Sequence, residues 1–251
     1  MLVKAGQSAS ASDLVLYLIS TYELSQAPVD NVSRAKLAQL LKAFERDEPT
    51  LPKIAAAITA WAGKFGPIPY GDPELNHVIG TIFAGTEKAY EAEKYLLLGT
   101  KQSPKVLADL LYEWSTENES SSTALFASRG VFGYLCIKSI RDAHSFLESF
   151  LDLLPDNYDT VKEEGFNAKV YNDHPLLNFL QLLIYTCQAG NVSMFSRLKL
   201  RYKTYLEQLP VFNDALERIG LLFFNIQPRR SNNVLQDLMG SLFAPPPGST
   251  S

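Results

Sequence analysis

Apolar residues recur at three- and four-residue steps along nearly the whole chain, and proline or glycine cuts each run before it grows long. Leu37, Leu40, Leu41 and Phe44 make one such run, and Ile54, Ile58, Trp61 and Phe65 the next. Residues spaced this way share one face of a helix with 3.6 residues per turn. The breakers are Ala27-Pro28, Glu48-Pro49 and the loop Gly66-Pro67-Ile68-Pro69-Tyr70-Gly71-Asp72-Pro73. The same rhythm continues through Leu75, Val78, Ile79 and Phe83, then Tyr90, Ala92, Tyr95 and Leu96, then Val106, Leu107, Leu110, Leu111 and Trp114. A chain patterned like this can fold only as many short helices packed face to face.

The remaining segments extend that expectation. Leu14, Leu16, Tyr17, Leu18 and Tyr22 form an apolar face after Ser12-Asp13, which read as a helix N-cap. A longer helix is expected over residues 120–139, and others over 143–154, 176–188, 192–205, 212–224 and 234–243. Only residues 160–173 lose the helical stripe. Their Gly and Asn, with β-prone pieces around Val161 and 166–171, predict a small hairpin or ordered loop. The tail 244–251, with three consecutive prolines, reads as disordered. Short helices that cannot bury their apolar faces alone must stack. The fold class expected is all-α: an irregular solenoid of antiparallel helix pairs, tetratricopeptide-like around the Ile79-Gly80 step. It would form one unit over 1–243, with an N-terminal half to about 115 and a C-terminal half from about 116.

Chemistry is sparse. No phosphate-binding glycine loop, GxSxG or HExxH occurs. His77, His144 and His174 fall on three different helical units, and Cys136 and Cys187 sit among apolar neighbours with no zinc or redox spacing. Glu163-Glu164 and Glu91/Glu93 read as solvated faces. Arg197, Lys199, Arg201 and Lys203 alternate, so they point to several sides of a helix, and an acidic docking partner is the functional alternative. An all-α enzyme of the terpenoid-synthase kind would need clustered acids on a helix, but Pro155 interrupts Asp152, Asp156 and Asp159. A net charge of −4 argues against nucleic acid. No apolar run is long enough for a membrane span, and MLVKAGQSAS lacks a signal-peptide core, so the triplets at Asn31, Asn118 and Asn191 carry no expectation of glycosylation. These readings imply a cytosolic, non-enzymatic protein that needs no cofactor or metal.

Several blocks, in one order from about residue 7 to 243, carry a specific resemblance. They are Ser12-Asp13-Leu14-Val15-Leu16-Tyr17-Leu18, Tyr70-Gly71-Asp72-Pro73-Glu74-Leu75-Asn76, and Tyr90-Glu91-Ala92-Glu93-Lys94-Tyr95-Leu96-Leu97-Leu98-Gly99-Thr100. Leu177-Asn178-Phe179-Leu180-Gln181-Leu182-Leu183 with Thr186-Cys187-Gln188, and Phe223-Phe224-Asn225-Ile226 followed by Leu235-Gln236-Asp237-Leu238-Met239, complete the set. Together they resemble the Golgi to ER traffic protein 4 family. The resemblance implies an α-solenoid scaffold in the insertion of tail-anchored proteins into the endoplasmic reticulum membrane. It implies a ubiquitin-like partner at the C-terminal half, a targeting ATPase at the N-terminal half, and through the first an indirect link to a co-chaperone. It implies no catalysis. Asp13 aligns with an acidic position associated with the ATPase. Family members carry further helices ahead of the Ser-Asp-Leu block, which here begins eleven residues after Met1, so weakened ATPase docking is expected. For the ubiquitin-like partner the sequence points to Phe166, Val170 and Tyr171 of the interrupting segment and to Leu176, Leu177, Phe179 and Leu180, apolar nearly all round their helix. Cover for that helix could come from the partner or from the stack itself. The competing reading is a scaffold of another complex, of the proteasome-lid or signalosome type. Such subunits end in a winged-helix module with strands, whereas residues 190–251 read as helices and a proline-rich tail.

Overall fold

Local chemistry sets where each helix starts. In the computed structural model, which describes residues 7–117, 123–155, 160–162 and 169–227, α1 covers Ser8–Leu24 and α2 Asn31–Leu41. α2 opens on a reciprocal cap: Ser33 N–H donates to Asp30 Oδ1 at 2.7 Å, and Asp30 N–H donates to Ser33 Oγ at 3.1 Å. α3 (Leu51–Phe65) and α4 (Pro73–Ala84) follow, each with proline in its first turn, where its missing N–H costs nothing. Then come α5 (Ala89–Leu96), α6 (Ser103–Glu117), α7 (Thr123–Cys136) and α8 (Ile140–Leu151). After the antiparallel strands β1 (Thr160–Lys162) and β2 (Lys169–Tyr171), α9 (Pro175–Ala189) opens at His174-Pro175 and closes on Gly190 in the left-handed region. Asn191 caps α10 (Val192–Arg201), and α11 (Lys203–Glu207) and α12 (Asn213–Phe224) end the described chain.

Each helix packs mainly on those one or two places away in sequence, from α1 on α3 to α9 on α10. That is the near-neighbour packing of a solenoid. The buried side chains run continuously from Ala11 to Phe224. The tetratricopeptide-like step is real: a Cβ on Gly80 would come within 2.7 Å of Leu96, so only glycine lets α4 and α5 approach this closely. One contact is less local, since α12 returns to pack on α7.

Several boundaries differ from the sequence reading. α1 begins at Ser8, so Asp13 lies inside the helix and is no cap. Its buried side is Ala11, Ser12, Val15 and Ile19, while Leu14 is 58% and Tyr17 71% exposed. Ser12 turns inward because its hydroxyl bonds Ser8 O and Thr50 Oγ1, which lets a polar residue occupy the core side. The helix expected over 120–139 is described from Thr123 to Cys136 and is closed by left-handed Lys138. The run 192–205 breaks at Tyr202, whose buried ring packs on Phe179, so Leu198, Tyr202 and Leu206 all reach the core. Pro210 opens a 3-10 turn before α12. The expected helix 234–243 and the tail lie outside the described residues.

Candidate interaction surfaces

Two features of the fold hold the residues that the sequence singled out. The first is the open side of α1. Asp13 is exposed, with no hydrogen bond or ion pair among the described residues. Tyr17 follows it by one turn, and Leu14, Tyr17 and Leu24 are all exposed. An unpaired carboxylate beside exposed aromatic and aliphatic groups can take a basic, partly apolar partner surface.

The second is the hairpin held against α9. Val161 pairs with Val170, and Lys162 stands opposite Lys169. The far edge of β2 is closed by side chains of α9. Asn178 accepts from Tyr171 N–H at 2.9 Å and donates to Tyr171 O at 2.8 Å, while Gln181 donates to Lys169 O at 2.9 Å. These amides stand in for a third strand, which a two-stranded ribbon needs because it is marginal alone. Tyr171 is buried, and burial raises its phenol above the ordinary tyrosine value, with Asp152 adding to the effect.

Of the residues singled out beforehand, Leu176, Leu177, Phe179 and Leu180 are buried under α7, α8, α10 and β2. The stack itself covers this helix. Tyr171 joins them, Val170 is half-buried, Lys169 is exposed, and Phe166 lies outside the described residues. The sequence reading missed Asn178 and Gln181, although their spacing of three, inside an otherwise apolar run, placed two amides on one stripe.

A third arrangement was also missed. Arg129 on α7 pairs with Glu93 on α5, and its guanidinium lies 4.7 Å from the Tyr90 ring centre and 5.4 Å from that of Trp114. Asp72 does similar work at the start of α4. It accepts from the N–H groups of Glu74 and Leu75 and receives two bonds from Arg34 Nε and Nη2. Buried Asn76 donates to Tyr70 O and Leu98 O, tying this loop to the end of α5. Gly71, at φ 97°, makes the turn that aims Asp72. These bonds account for the residue types in two of the quoted blocks.

Nothing at these sites assembles reactive groups. No group of three or more His, Cys, Asp or Glu could hold a metal among the described residues. His77 bonds Ser103, and His144 pairs with Glu148 one turn on. Cys187 is buried and its thiol is pushed up to about 12 by burial. No described helix is long and apolar enough to cross a membrane.

Comparison with known proteins places this architecture. The family profile described as "Golgi to ER traffic protein 4" matches residues 1–243. Golgi to ER traffic protein 4 of Aspergillus fumigatus is 34% identical, over 94% of this chain and 72% of that protein. The Schizosaccharomyces pombe protein of the same name is 29% identical, over 97% of this chain and 80% of that one. The crystal structure of C. therm. Get4 superposes with a TM-score of 0.88 at 38% identity, covering 98% of this chain and 79% of that chain.

Proposed function

This chain belongs to the Golgi to ER traffic protein 4 family, and from that premise we propose that it is a non-enzymatic cytosolic scaffold for delivering tail-anchored proteins to the endoplasmic reticulum. It bridges a ubiquitin-like adaptor, and the co-chaperone that adaptor carries, to the targeting ATPase. The observation that supports this most is the likeness to a Get4 crystal structure across nearly the whole chain. A stack of helices with exposed side-chain stripes, and no metal-holding cluster among the described residues, suits a scaffold. Residues 1–243 act as one solenoid whose halves meet near residue 115, and each half serves one partner.

The ATPase docks on the N-terminal half, with Asp13 and Tyr17 of α1 contributing. The ubiquitin-like partner docks on the C-terminal half at the hairpin, through Val170, Lys169 and Phe166. Tyr171, Leu176, Leu177, Phe179 and Leu180 act from beneath, by fixing the hairpin on α9 through packing and the Asn178 clamp. The test is reconstitution from purified components. The ATPase should be retained on immobilised ubiquitin-like protein only when this chain is added, and Asp13→Lys should weaken that retention. Retention without the chain, or competition between the two partners for it, would contradict the bridge.

A further inference from the structure

A pocket in the N-terminal half carries positive charge that its surroundings leave unanswered. It lies where the end of α2 and the turn after it meet α4, and holds about 290 Å³. Buried Leu41 and Phe44, with half-buried Val78 and Ile82, make its apolar floor. Lys42, Arg46 and His77 stand in its wall, and no carboxylate of the described residues lines it. Lys42 and Arg46 are exposed, and neither side chain enters an ion pair among the described residues. Glu45 and Asp47 neighbour Arg46 in the chain, and Glu74 comes three residues before His77, yet none of these acids lines the pocket.

Helix ends place both cations. Lys42 is the C-cap of α2. Arg46 lies over Gly85, the C-cap of α4, where a Cβ would meet its guanidinium. The negative end of a helix dipole amounts to about half a charge, so it steadies a cation without neutralising it. His77 adds a directed donor. Ser103 is fully buried and accepts from Thr100 N–H, so its own O–H needs an acceptor. His77 Nδ1, 3.0 Å away, supplies it. Burial, with Lys42 reinforcing and Glu74 opposing, keeps the ring neutral at pH 7. Its proton therefore sits on Nε2, the ring nitrogen with no partner among the described residues.

We propose that this pocket docks an acidic peptide segment of a partner protein, one in which a large apolar side chain sits between carboxylates. The apolar side chain takes the floor, and the carboxylates take Lys42, Arg46 and His77 Nε2–H. The two unpaired cations set the sign of the partner's charge. The floor sets its kind, because a small inorganic anion would leave the apolar half of the pocket wet. The volume, at the small end of ligand clefts, admits one large side chain rather than a cofactor-sized molecule. None of the residues assigned above to the ATPase or to the ubiquitin-like partner lines this pocket, so the proposal does not rest on that bridge.

The test is fluorescence anisotropy with the full chain and a dye-labelled pentapeptide, Glu-Glu-Phe-Glu-Glu. One peptide should bind per chain. Lys42→Glu and Arg46→Glu, both at exposed positions, should each weaken binding ~tenfold or more, while Arg197→Glu on α10 should change it less than ~twofold. Exchanging the peptide's phenylalanine for glycine should cost ~tenfold or more. Inorganic phosphate in large excess should not displace the peptide. Circular dichroism checks that each variant is folded. Absence of binding, full affinity after Lys42→Glu and Arg46→Glu together, or an equal loss from Arg197→Glu would overturn the proposal. So would indifference to the phenylalanine, or displacement by phosphate, which would reduce the pocket to a simple anion site.

Discussion

Replacing Asp72 by alanine removes two interactions at once, and the structure says how large each is. Its carboxylate caps α4 through Glu74 and Leu75 N–H, and losing a cap costs about 1 kcal/mol. It also holds Arg34 in a two-bond pair at 2.9–3.0 Å, with the Asp72 side chain 5% exposed and Arg34 27%. Arg34 can turn back to water, so the pair contributes about 1–2 kcal/mol and not the larger cost of a stranded buried charge. The total, ~2–3 kcal/mol, lowers the melting temperature by about 4–12 °C in a chain of this size. Asp72→Asn keeps an acceptor for the cap and loses the ionic pair, so it should retain roughly 1 kcal/mol of the difference. Arg34→Ala leaves the 5% exposed Asp72 carboxylate without its cation, so it should cost at least what Asp72→Asn costs, and the double variant should show coupling. Urea unfolding followed by circular dichroism measures all four. If Asp72→Asn were as harmful as Asp72→Ala, the cap would contribute nothing separable. If Asp72→Ala lost less than ~0.5 kcal/mol, the reasoning for this loop would fail.

Other outcomes follow from the same geometry. A Cβ on Gly130 would lie 2.1–2.5 Å from the buried Phe146 ring, so Gly130→Ala should destabilise by ~1–3 kcal/mol, and Phe146→Leu should recover part of that loss. Burial lowers His77 below 6.5, with Lys42 reinforcing and Glu74 opposing. The neutral ring is therefore favoured in the fold, and its contribution is full above pH 6.5 and lost as pH falls through the folded value. His77→Gln should flatten the acid limb of a stability–pH curve. Burial raises Cys187 from 9.0 to about 12, so its stabilising effect holds below pH 9 and fades as pH climbs toward 12. In the native protein at pH 8, a thiol reagent should leave Cys187 unmodified until urea is added.

Helix periodicity carried most of the architecture, because burying one stripe per helix leaves a regular spacing that survives in sequence. The Gly66–Pro73 punctuation and the hairpin were legible for the complementary reason: glycine, proline and asparagine interrupt that spacing. What was not legible depended on partners distant in the chain. Asp13 resembled a cap because Ser-Asp precedes an apolar run, yet the helix already starts at Ser8, and Ser12, inside it, bonds Thr50 instead. The sequence left the cover of α9 open between a partner and the stack, because pattern alone cannot say that α7, α8 and α10 surround it. The Asn178 clamp and the Arg129–Glu93 pair join residues whose meeting depends on the stack.

Calorimetric titration of the ubiquitin-like protein into this chain tests the scaffold reading most directly. One copy should bind per chain. Affinity should fall at least ~tenfold when residues 165–172 are replaced by a short Gly-Ser linker, and should fall measurably with Lys169→Glu, a surface change that spares the fold. Circular dichroism must show both variants folded. Absence of binding to the unaltered chain, or full affinity after the hairpin is replaced, would contradict the account.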